Sequence, residues 1–222
     1  MEKTYFCLHD LPLFDTLERS VFSVVCSRAA IKKHFKRGDI LFRQGDASDT
    51  LYLVKEGSFK LTRVTEDGKE VIVHVAGVRD VLGEAALFRE GSHPTTAIAL
   101  QDARVCALSR QRLEEIIRTH PELAMQVIYS LGNSLYNAWE QATELRSGTT
   151  EERVLNMFIR LAAEHGEQCI EGTKITVFLT QQDIADYVGA SRVMVVQVIK
   201  KLAERNYLVK KGKNYILKNR CF

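Results

Sequence analysis

The sequence predicts an α+β protein in which an antiparallel β-roll is followed by a long helix and then by a small helical domain with a terminal hairpin. Three observations indicate this order. Short apolar runs separated by glycines occupy residues 35–108, a helical spacing of apolar residues begins after them, and the end of the chain is strongly basic. We therefore predict three parts, residues 1–120, 121–147 and 148–222.

The composition is that of an ordinary globular protein. The chain has 222 residues, of which 45% are apolar and 27% are charged. No apolar run approaches the roughly 18 residues of a membrane helix, and the start of the chain lacks the apolar core of a signal peptide. We therefore expect a cytoplasmic protein that is not exported and does not enter a membrane.

The cysteines do not form a recognisable framework. They are odd in number, scattered, and never spaced as Cys-x-x-Cys. This pattern favours reduced thiols over disulfides or a structural zinc site, so no metal site is predicted. The five residues are Cys7, Cys26, Cys106, Cys169 and Cys221.

The N-terminal part is predicted to form the β-roll. Residues 1–30 indicate short helical pieces. After them, short alternating segments are punctuated by glycines at intervals of 6 to 12 residues, which is typical of an antiparallel sandwich or roll. Glu66, Asp67 and Gly68 indicate a hairpin turn. The predicted strand segments are 39–43, 51–54, 59–64, 71–75 and 97–100.

A heptad pattern distinguishes the central stretch, residues 121–147. Apolar residues recur there at alternating steps of four and three residues, the spacing of a coiled-coil contact. We predict a parallel homodimer through this seam; the alternative is that the helix packs on its own roll. Residues 147–150 are expected to break the helix and to act as a hinge. The predicted interface comprises Ile128, Leu131, Leu135, Ala138, Ala142 and Leu145.

The C-terminal part carries the pattern of two helices joined by a tight turn. Thr180 and Asp183 form a capping box that opens one helix, Gly189 supplies the turn, and Ser191 caps the next helix. This arrangement is a helix-turn-helix. The other expected elements are a helix at Val154–Ala163, a polar connection at 164–176 and a two-stranded wing at 208–217.

The charge is divided between the two ends of the chain. Residues 189–222 contain nine lysines and arginines and one acid, a net charge of +8. Residues 1–188 contain 22 bases and 27 acids, a net charge of −5. Apolar residues recur among the C-terminal bases, so we expect a folded module rather than a solvated tail. A folded basic module attached to an acidic body indicates binding to nucleic acid.

Several short motifs resemble those of one known family. They are GDILFRQG at 38–45, LYLVKEG at 51–57, DGKE at 67–70, LGE at 82–84 with LF at 87–88, LTQQDIA at 179–185 and GASR at 189–192. With the order of the parts, they resemble the superfamily of the cyclic-AMP receptor protein and the fumarate–nitrate reductase regulator. The resemblance implies a homodimeric transcription regulator that senses an effector in its roll, binds double-stranded DNA and acts on RNA polymerase.

The second helix of the helix-turn-helix is the predicted recognition helix. Relatives usually carry Glu and Arg where this chain has Val193 and Gln197. The TGA-type site that the family commonly reads should therefore be lost here. By groove chemistry Arg192 suits guanine, Val193 a thymine methyl and Gln197 adenine, which predicts an A/T-rich inverted repeat. The full predicted contact set is Thr180, Ser191, Arg192, Val193, Gln197, Lys200, Lys201, Lys211 and Lys213.

The resemblance places an effector pocket in the roll, and its residues argue against cyclic AMP. Cyclic-nucleotide sensors of this family hold the phosphate with a Gly-Glu pair, an arginine and a hydroxyl from the central helix. Here the arginine position falls on Pro94 and the hydroxyl positions on Ala138 and Trp139. A phosphate that lacks a cation or donors is costly to bury. The predicted pocket comprises Gly83, Glu84, Leu87, Thr95, Thr96, Ala138 and Trp139.

The sensing chemistry stays open among three alternatives. The iron–sulfur branch of the family uses three closely spaced N-terminal cysteines, but here only Cys7 and Cys26 accompany Cys106 of the roll, which argues against a cluster. The alternatives are haem on a histidine, a thiol switch at Cys7 or Cys106, and a small organic anion. The histidines are His9, His34, His74, His93, His120 and His165.

Other functional classes find less support. No motif of a serine hydrolase, nucleotide-binding loop or zinc protease occurs in the sequence, so we predict a regulator rather than an enzyme. The alternative is a ligand-binding module that regulates a partner protein without touching DNA. The basic winged helix-turn-helix argues against that alternative, and the salt dependence of binding separates the two.

Overall fold

The computed structural model describes residues 31–78, 80–84, 91–119 and 148–218, together with single positions between 121 and 143. Within this part of the chain, no helix combines the length and the apolar character that crossing a membrane requires. The strands are β1 Ile31–Phe35, β2 Ile40–Phe42, β3 Thr50–Glu56, β4 Phe59–Val64, β5 Glu70–Ala76, β6 Val81–Leu82, β7 Thr96–Ala99, β8 Ala103–Ser109, β9 Gly166–Cys169, β10 Gly172–Ile175, β11 Leu208–Lys211 and β12 Asn214–Leu217. The helices are α1 Arg110–Thr119, α2 Thr150–His165, α3 Gln181–Val188 and α4 Arg192–Glu204. The helical pieces expected in residues 1–30 lie outside the described residues.

Two four-stranded antiparallel sheets form the predicted β-roll. Their strand orders are β1-β8-β3-β6 and β2-β7-β4-β5. One buried cluster between them contains Val54, Phe59 and Val105, so the inner faces enclose a common core. The predicted hairpin turn joins β4 to β5, where Gly68 has a φ of +79°, a conformation that glycine adopts without steric cost.

The C-terminal domain packs three helices against a third antiparallel sheet, in the order β11-β12-β10-β9. Helix α2 starts at a capping box in which the Thr149 hydroxyl accepts a hydrogen bond from the N–H of Glu152, and the Glu152 carboxylate accepts one from the N–H of Thr149. Its buried face contributes Met157 and Phe158 to the domain core. Strands β11 and β12 form the two-stranded wing that the sequence predicts.

The polar connection predicted at 164–176 is wrong. The chain continues α2 to His165 and then folds back as the hairpin β9–β10, with Gly172 opposite Cys169. Strand β10 also pairs with β12, so the hairpin extends the wing into a sheet. No residue of β9 is buried, and the alternation of apolar residues that identifies a strand is therefore missing there. Backbone pairing with the wing produces these strands.

The central stretch is helical wherever the structure describes it between residues 124 and 143. Ile128 and Leu135 of the predicted seam expose 56% and 51% of their surfaces, and Ala138 and Ala142 are exposed as well. The chain's own roll does not cover these four side chains, which speaks against the alternative that the helix packs there. Outside the described residues lie Leu131 and Leu145.

The roll and the C-terminal domain meet at a set of contacts that we call the joint. The Lys60 ammonium on β4 donates to the Asp183 carboxylate on α3 at 2.8 Å. At the end of α2, the ring of His165 lies against Gly77, and its Nε2 is 3.3 Å from the carbonyl oxygen of Val75. Val75 belongs to the same buried cluster as the apolar residues of α2 and α3. The joint therefore combines an ion pair with apolar packing.

Candidate functional site

The helix-turn-helix forms through the three local signals that predict it. The Thr180 hydroxyl accepts a hydrogen bond from the N–H of Asp183 at 3.1 Å, and the Asp183 carboxylate accepts one from the N–H of Thr180 at 2.9 Å. Gly189 ends α3 in the left-handed conformation, with φ +64°. The Ser191 hydroxyl then accepts a hydrogen bond from the N–H of Met194 at 3.2 Å and caps α4.

The environment of Asp183 keeps its carboxylate charged. Burial raises the pKa of this carboxyl, but hydrogen bonds from Lys60 and Thr180 outweigh burial and hold the pKa below its ordinary value. One carboxylate oxygen accepts from Lys60, and the other accepts from Thr180. The start of α3 is thereby tied to the roll.

Helix α4 presents a clear division between buried and exposed residues. Val195, Val198 and Leu202 are buried against α2 and α3. All five residues that were predicted to contact DNA from this helix lie on its exposed side. They are Arg192, Val193, Gln197, Lys200 and Lys201. These five exposed side chains therefore comprise one polar and one apolar residue, Gln197 and Val193, among three cationic ones.

A cleft of about 360 Å³ separates the start of α3 from the wing. Three predicted residues line it, namely Thr180, Arg192 and Lys213. None of its lining residues is acidic, so the cleft suits an anion. Sequence reasoning missed the rest of the lining, which comprises Phe178, Leu179, Gln181, Gln182, Lys210 and Gly212.

The two glutamines of the cleft were recognisable in principle. Gln181 and Gln182 occupy the first turn of α3, and the buried residues Ile184, Ala185 and Val188 follow them. Polar residues at a helix start that are not needed for the core or the cap face outward. That signal is weak in the sequence alone, because the wing that closes the other side of the cleft begins only at Leu208, after the whole of α3 and α4.

The two lysines of the wing differ in their surroundings. Lys211 forms an ion pair with Glu171, which also accepts from Lys218 at 3.4 Å. Lys213, at the wing tip, lies over the ring of Phe178 at 5.8 Å from the ring centroid and lines the cleft. Lys213 thus presents its charge to the cleft, whereas Glu171 partly neutralises Lys211.

The predicted sensor residues are only partly brought together. Gly83 has a φ of +84°, and a Cβ there would lie 2.6 Å from the carbonyl oxygen of Thr50. The backbone of the roll therefore requires glycine at this position, with or without a bound effector. Thr96 uses its hydroxyl to accept from the N–H of Gln44 at 3.0 Å, and Thr95 is half-buried nearby. The other described pocket residues, Glu84, Ala138 and Trp139, are exposed, and Leu87 lies outside the described residues.

His93 is a buried residue of the roll that the pocket prediction left out. Its ring stacks on Phe42 with centroids 3.8 Å apart, and its Nδ1 is 3.2 Å from the Ser48 hydroxyl. Burial lowers the pKa of His93, which favours the neutral ring. Pro94 follows it at the surface. His93 and Pro94 therefore supply a packed, neutral imidazole and a proline, and neither is a cation for a phosphate.

The thiols differ in accessibility. Cys106 is buried in β8, which favours a packing role over a redox role, whereas Cys169 is exposed on β9. Cys7 lies outside the described residues. Within the described ranges, no group of three or more His, Cys, Asp or Glu residues is arranged to hold a metal ion.

Comparisons with known proteins identify both halves of the chain. Residues 32–120 match the family model of the cyclic nucleotide-binding domain, and residues 152–221 match that of the Crp-like helix-turn-helix domain. The chain belongs to the CRP/FNR superfamily of transcription regulators. This confirms the resemblance read from the motifs, and it makes the chain a DNA-binding regulator of the CRP/FNR type.

Two curated CRP/FNR relatives illustrate the range of the superfamily. The CRP-like cAMP-activated global transcriptional regulator of Mycobacterium tuberculosis (strain ATCC 25618 / H37Rv) is 29% identical over 183 residues, 82% of this chain and 82% of that protein. The fumarate and nitrate reduction regulatory protein of Shigella dysenteriae is 26% identical over 190 residues, 85% of this chain and 75% of that protein. The chain is thus similar to both named branches.

Solved structures of CRP/FNR proteins share the fold. FixK2 from Bradyrhizobium japonicum superposes with a TM-score of 0.76 at 21% identity and covers 86% of this chain and 93% of that chain. The c-di-GMP responsive regulator CLP of Xanthomonas campestris gives 0.72 at 22% identity, over 91% of this chain and 100% of that chain. These likenesses confirm the predicted α+β architecture.

Proposed function

We propose that this CRP/FNR regulator is a homodimer whose affinity for DNA is controlled by an effector or redox signal sensed in the β-roll. The main support is the cationic cleft beside the exposed side of α4, lined by Arg192, Lys210 and Lys213 without an acidic residue. A B-DNA major groove admits an α-helix, and its phosphates bind to cations along the groove edge. Helix α4 reads bases, and the cleft holds the backbone.

Each proposed contact follows from groove chemistry. Arg192 suits the O6 and N7 acceptors of guanine, Gln197 the N6 and N7 groups of adenine, and Val193 a thymine methyl. Lys200, Lys201 and the wing residues lie nearer to phosphates, with Thr180 and Ser191 at the helix starts. The proposed target is an A/T-rich inverted repeat whose half-sites are roughly 34 Å apart.

The dimer rests on the exposed heptad seam. Ile128 and Leu135 keep about half of their surfaces open in the single chain, and the seam spacing is that of a two-helix contact. A second copy would bury this apolar surface and would place two α4 helices on one DNA duplex. The proposed interface includes Leu131 and Leu145.

The effector is proposed to differ from cyclic AMP. At the position of the phosphate-binding arginine stands Pro94, and the packed ring of His93 precedes it. Haem, a small organic anion and a thiol switch at Cys7 stay as candidate sensing chemistries. Absorbance and mass spectra of protein purified without oxygen would identify the class, and retained cyclic AMP would contradict the proposal.

The remaining parts of the proposal follow from the family. A regulator of this type acts in the cytoplasm on RNA polymerase, without catalysing a reaction. The alternative is a ligand-binding module that controls a protein partner without DNA contact. The cationic cleft favours the DNA-binding regulator over this alternative, because DNA phosphates need such cations whereas a protein partner does not require them.

Selection from random duplex DNA, followed by anisotropy titrations at several salt concentrations, tests the function. We expect an A/T-rich inverted repeat. Arg192→Ala should cost about 1–3 kcal/mol on that site and relax one base position, whereas Lys213→Ala should weaken binding to all sequences alike and reduce the salt slope by about one.

Lys69→Ala serves as a matched control, because Lys69 lies in the exposed β4–β5 turn of the roll. It removes the same charge as Lys213→Ala and should leave the affinity for DNA and the salt slope unchanged. Recovery of a TGA-centred palindrome, or of no palindrome, would contradict the recognition residues. Absence of salt-dependent binding to any duplex would contradict DNA binding and favour the alternative module.

A further inference from the structure

The recognition helix exposes apolar side chains that its own packing does not need. Helix α4 buries Val195, Val198 and Leu202 in the domain core. On the opposite side Val193 exposes 68% of its surface and Val196 exposes 39%. An exposed helical position has no intrinsic preference for valine, because a β-branched side chain loses rotamer freedom in a helix. Neither helix formation nor core packing accounts for these two residues.

The two valines form a fixed pair on the helix surface. Residues three apart lie on one side of a helix, about 4.5 Å apart along its axis. The Ser191 cap holds the first turn in place through the N–H of Met194. Because valine has one dominant rotamer in a helix, both side chains are already ordered before any partner arrives. Binding through them therefore costs little side-chain entropy.

The surroundings of the pair indicate what kind of partner it meets. Exposed Arg192, Lys200 and Lys201 flank it on the same helix. A polyanion that also carries an apolar group satisfies both features. In the major groove of DNA that group is the 5-methyl of thymine, the one apolar substituent on the base edges.

We propose that Val193 and Val196 together read the 5-methyl groups of two successive thymines on one strand of each half-site. This inference rests on the proposed function, and it turns a single methyl contact at Val193 into a two-residue reader. Stacked bases of one strand are about 3.4 Å apart, close to the axial spacing of the two valines. The regulator thereby distinguishes a thymine pair from cytosine, adenine and guanine through apolar contact as well as hydrogen bonding.

Deoxyuridine tests this proposal directly, because it differs from thymidine only by the missing methyl. The site recovered by selection is synthesised with one thymine at a time replaced by deoxyuridine in one half-site, and anisotropy gives the affinity of the unaltered protein. We expect a loss of about fourfold at each of two adjacent positions and of about fifteenfold for both together. Thymines outside the half-sites should show no effect.

Two variants assign the positions to the residues. Val196→Ser should abolish the deoxyuridine effect at one position and keep it at the other, and Val193→Ser should do the reverse. Lys213→Ala should weaken binding to every duplex yet keep the full effect at both positions. Circular dichroism and thermal unfolding verify that the serine variants are folded, and the deoxyuridine series on the unaltered protein needs no variant.

The outcomes separate this inference from the proposed function. Sequence-selective, salt-dependent binding that does not change with deoxyuridine would overturn the methyl reader and leave the DNA-binding regulator intact. A deoxyuridine effect that persists in both serine variants would also overturn it, because other residues would then contact the methyls. Failure to bind any duplex would overturn both.

Discussion

The joint and the central seam differ in whether contacts within one chain cover them. At the joint, the side chains of Lys60 and Asp183 keep only 18% and 9% of their exposure, and contacts within one chain satisfy both. In the seam, Ile128 and Leu135 keep about half of theirs. Contacts within one chain cover the joint, whereas these two side chains of the seam stay exposed.

This difference gives the joint and the seam separate roles. The joint sets the orientation of α4 relative to its own roll, because α3 packs on β5 and His165 at the end of α2 contacts Val75 of the same strand. In the proposed dimer, the seam sets the distance between the two copies of α4. A change at the joint should therefore alter stability without altering assembly, and a change at the seam should do the opposite.

The largest expected effect is at the seam. Leu135→Asp would bury an unpaired carboxylate from each chain in the dimer contact, at a cost of several kcal/mol in the free energy of association. Sedimentation at micromolar concentration should show a monomer. Tyr136→Asp is the matched control: it adds the same charge at the next, exposed position of the helix, outside the heptad pattern, and should stay dimeric. A dimeric Leu135→Asp protein would show that the seam does not hold the chains together.

A smaller effect is expected at the joint. A Cβ at Gly77 would lie 2.6 Å from Nδ1 of His165, whose side chain is only 3% exposed, so Gly77→Ala must displace the ring. We expect a loss of about 1–3 kcal/mol in the free energy of unfolding, with the dimer retained. Gly91→Ala is the control, because nothing lies within 4 Å of a Cβ there. Equal unfolding curves for the two variants would rule out tight packing at the joint.

The ion pair of the joint is expected to make the smallest and the most pH-dependent contribution. Lys60→Met leaves the Asp183 carboxylate without its cation, which should cost about 1–2 kcal/mol at neutral pH. The pKa of Asp183 is lowered in the folded protein, so this stabilisation is present above the ordinary value of 3.8 and disappears as the pH falls through the lowered value.

Unfolding by urea across the acidic range measures this dependence. The difference in stability between the unaltered protein and Lys60→Met should be constant at neutral pH and shrink in acid. Lys69→Met removes a cation from an exposed pair, and it should have little effect at any pH. If the difference in the free energy of unfolding grew in acid, the pair would not be stabilised by an ionised Asp183 carboxylate, and the proposed ion pair would be contradicted.

The helix-turn-helix could be predicted from the sequence because its determinants are local. The Thr180 and Asp183 cap, the left-handed Gly189 and the Ser191 cap each act within four residues. The strands of the β-roll were predictable because apolar alternation and glycine turns are local, although only β4 and β5 of the paired strands in the roll are consecutive in the chain. The exposed side of α4 followed from the helical period once Ser191 fixed the start of the helix.

The features that were missed depend on contacts between distant residues. The partners of the Lys60–Asp183 pair are 123 positions apart, and nothing near Lys60 in the sequence distinguishes it from a surface lysine. Strand β9 carries no apolar alternation, because pairing with β10 stabilises it through the backbone. The partner of Lys211 is Glu171, which lies in the turn of that unpredicted hairpin. The ion pair of Lys211 therefore could not be predicted without the β9–β10 hairpin that carries its partner.

The Asp183 carboxylate serves two structures at once, the start of α3 and the attachment of its domain to the roll. Substitutions at position 183 should therefore be pleiotropic, since they disturb both the helix-turn-helix and its attachment to the roll. Substitutions at position 60 should disturb the attachment alone. A genetic screen for regulators that read the correct operator but ignore their signal should accordingly recover position 60, and it should recover position 183 only among alleles that also lose operator binding.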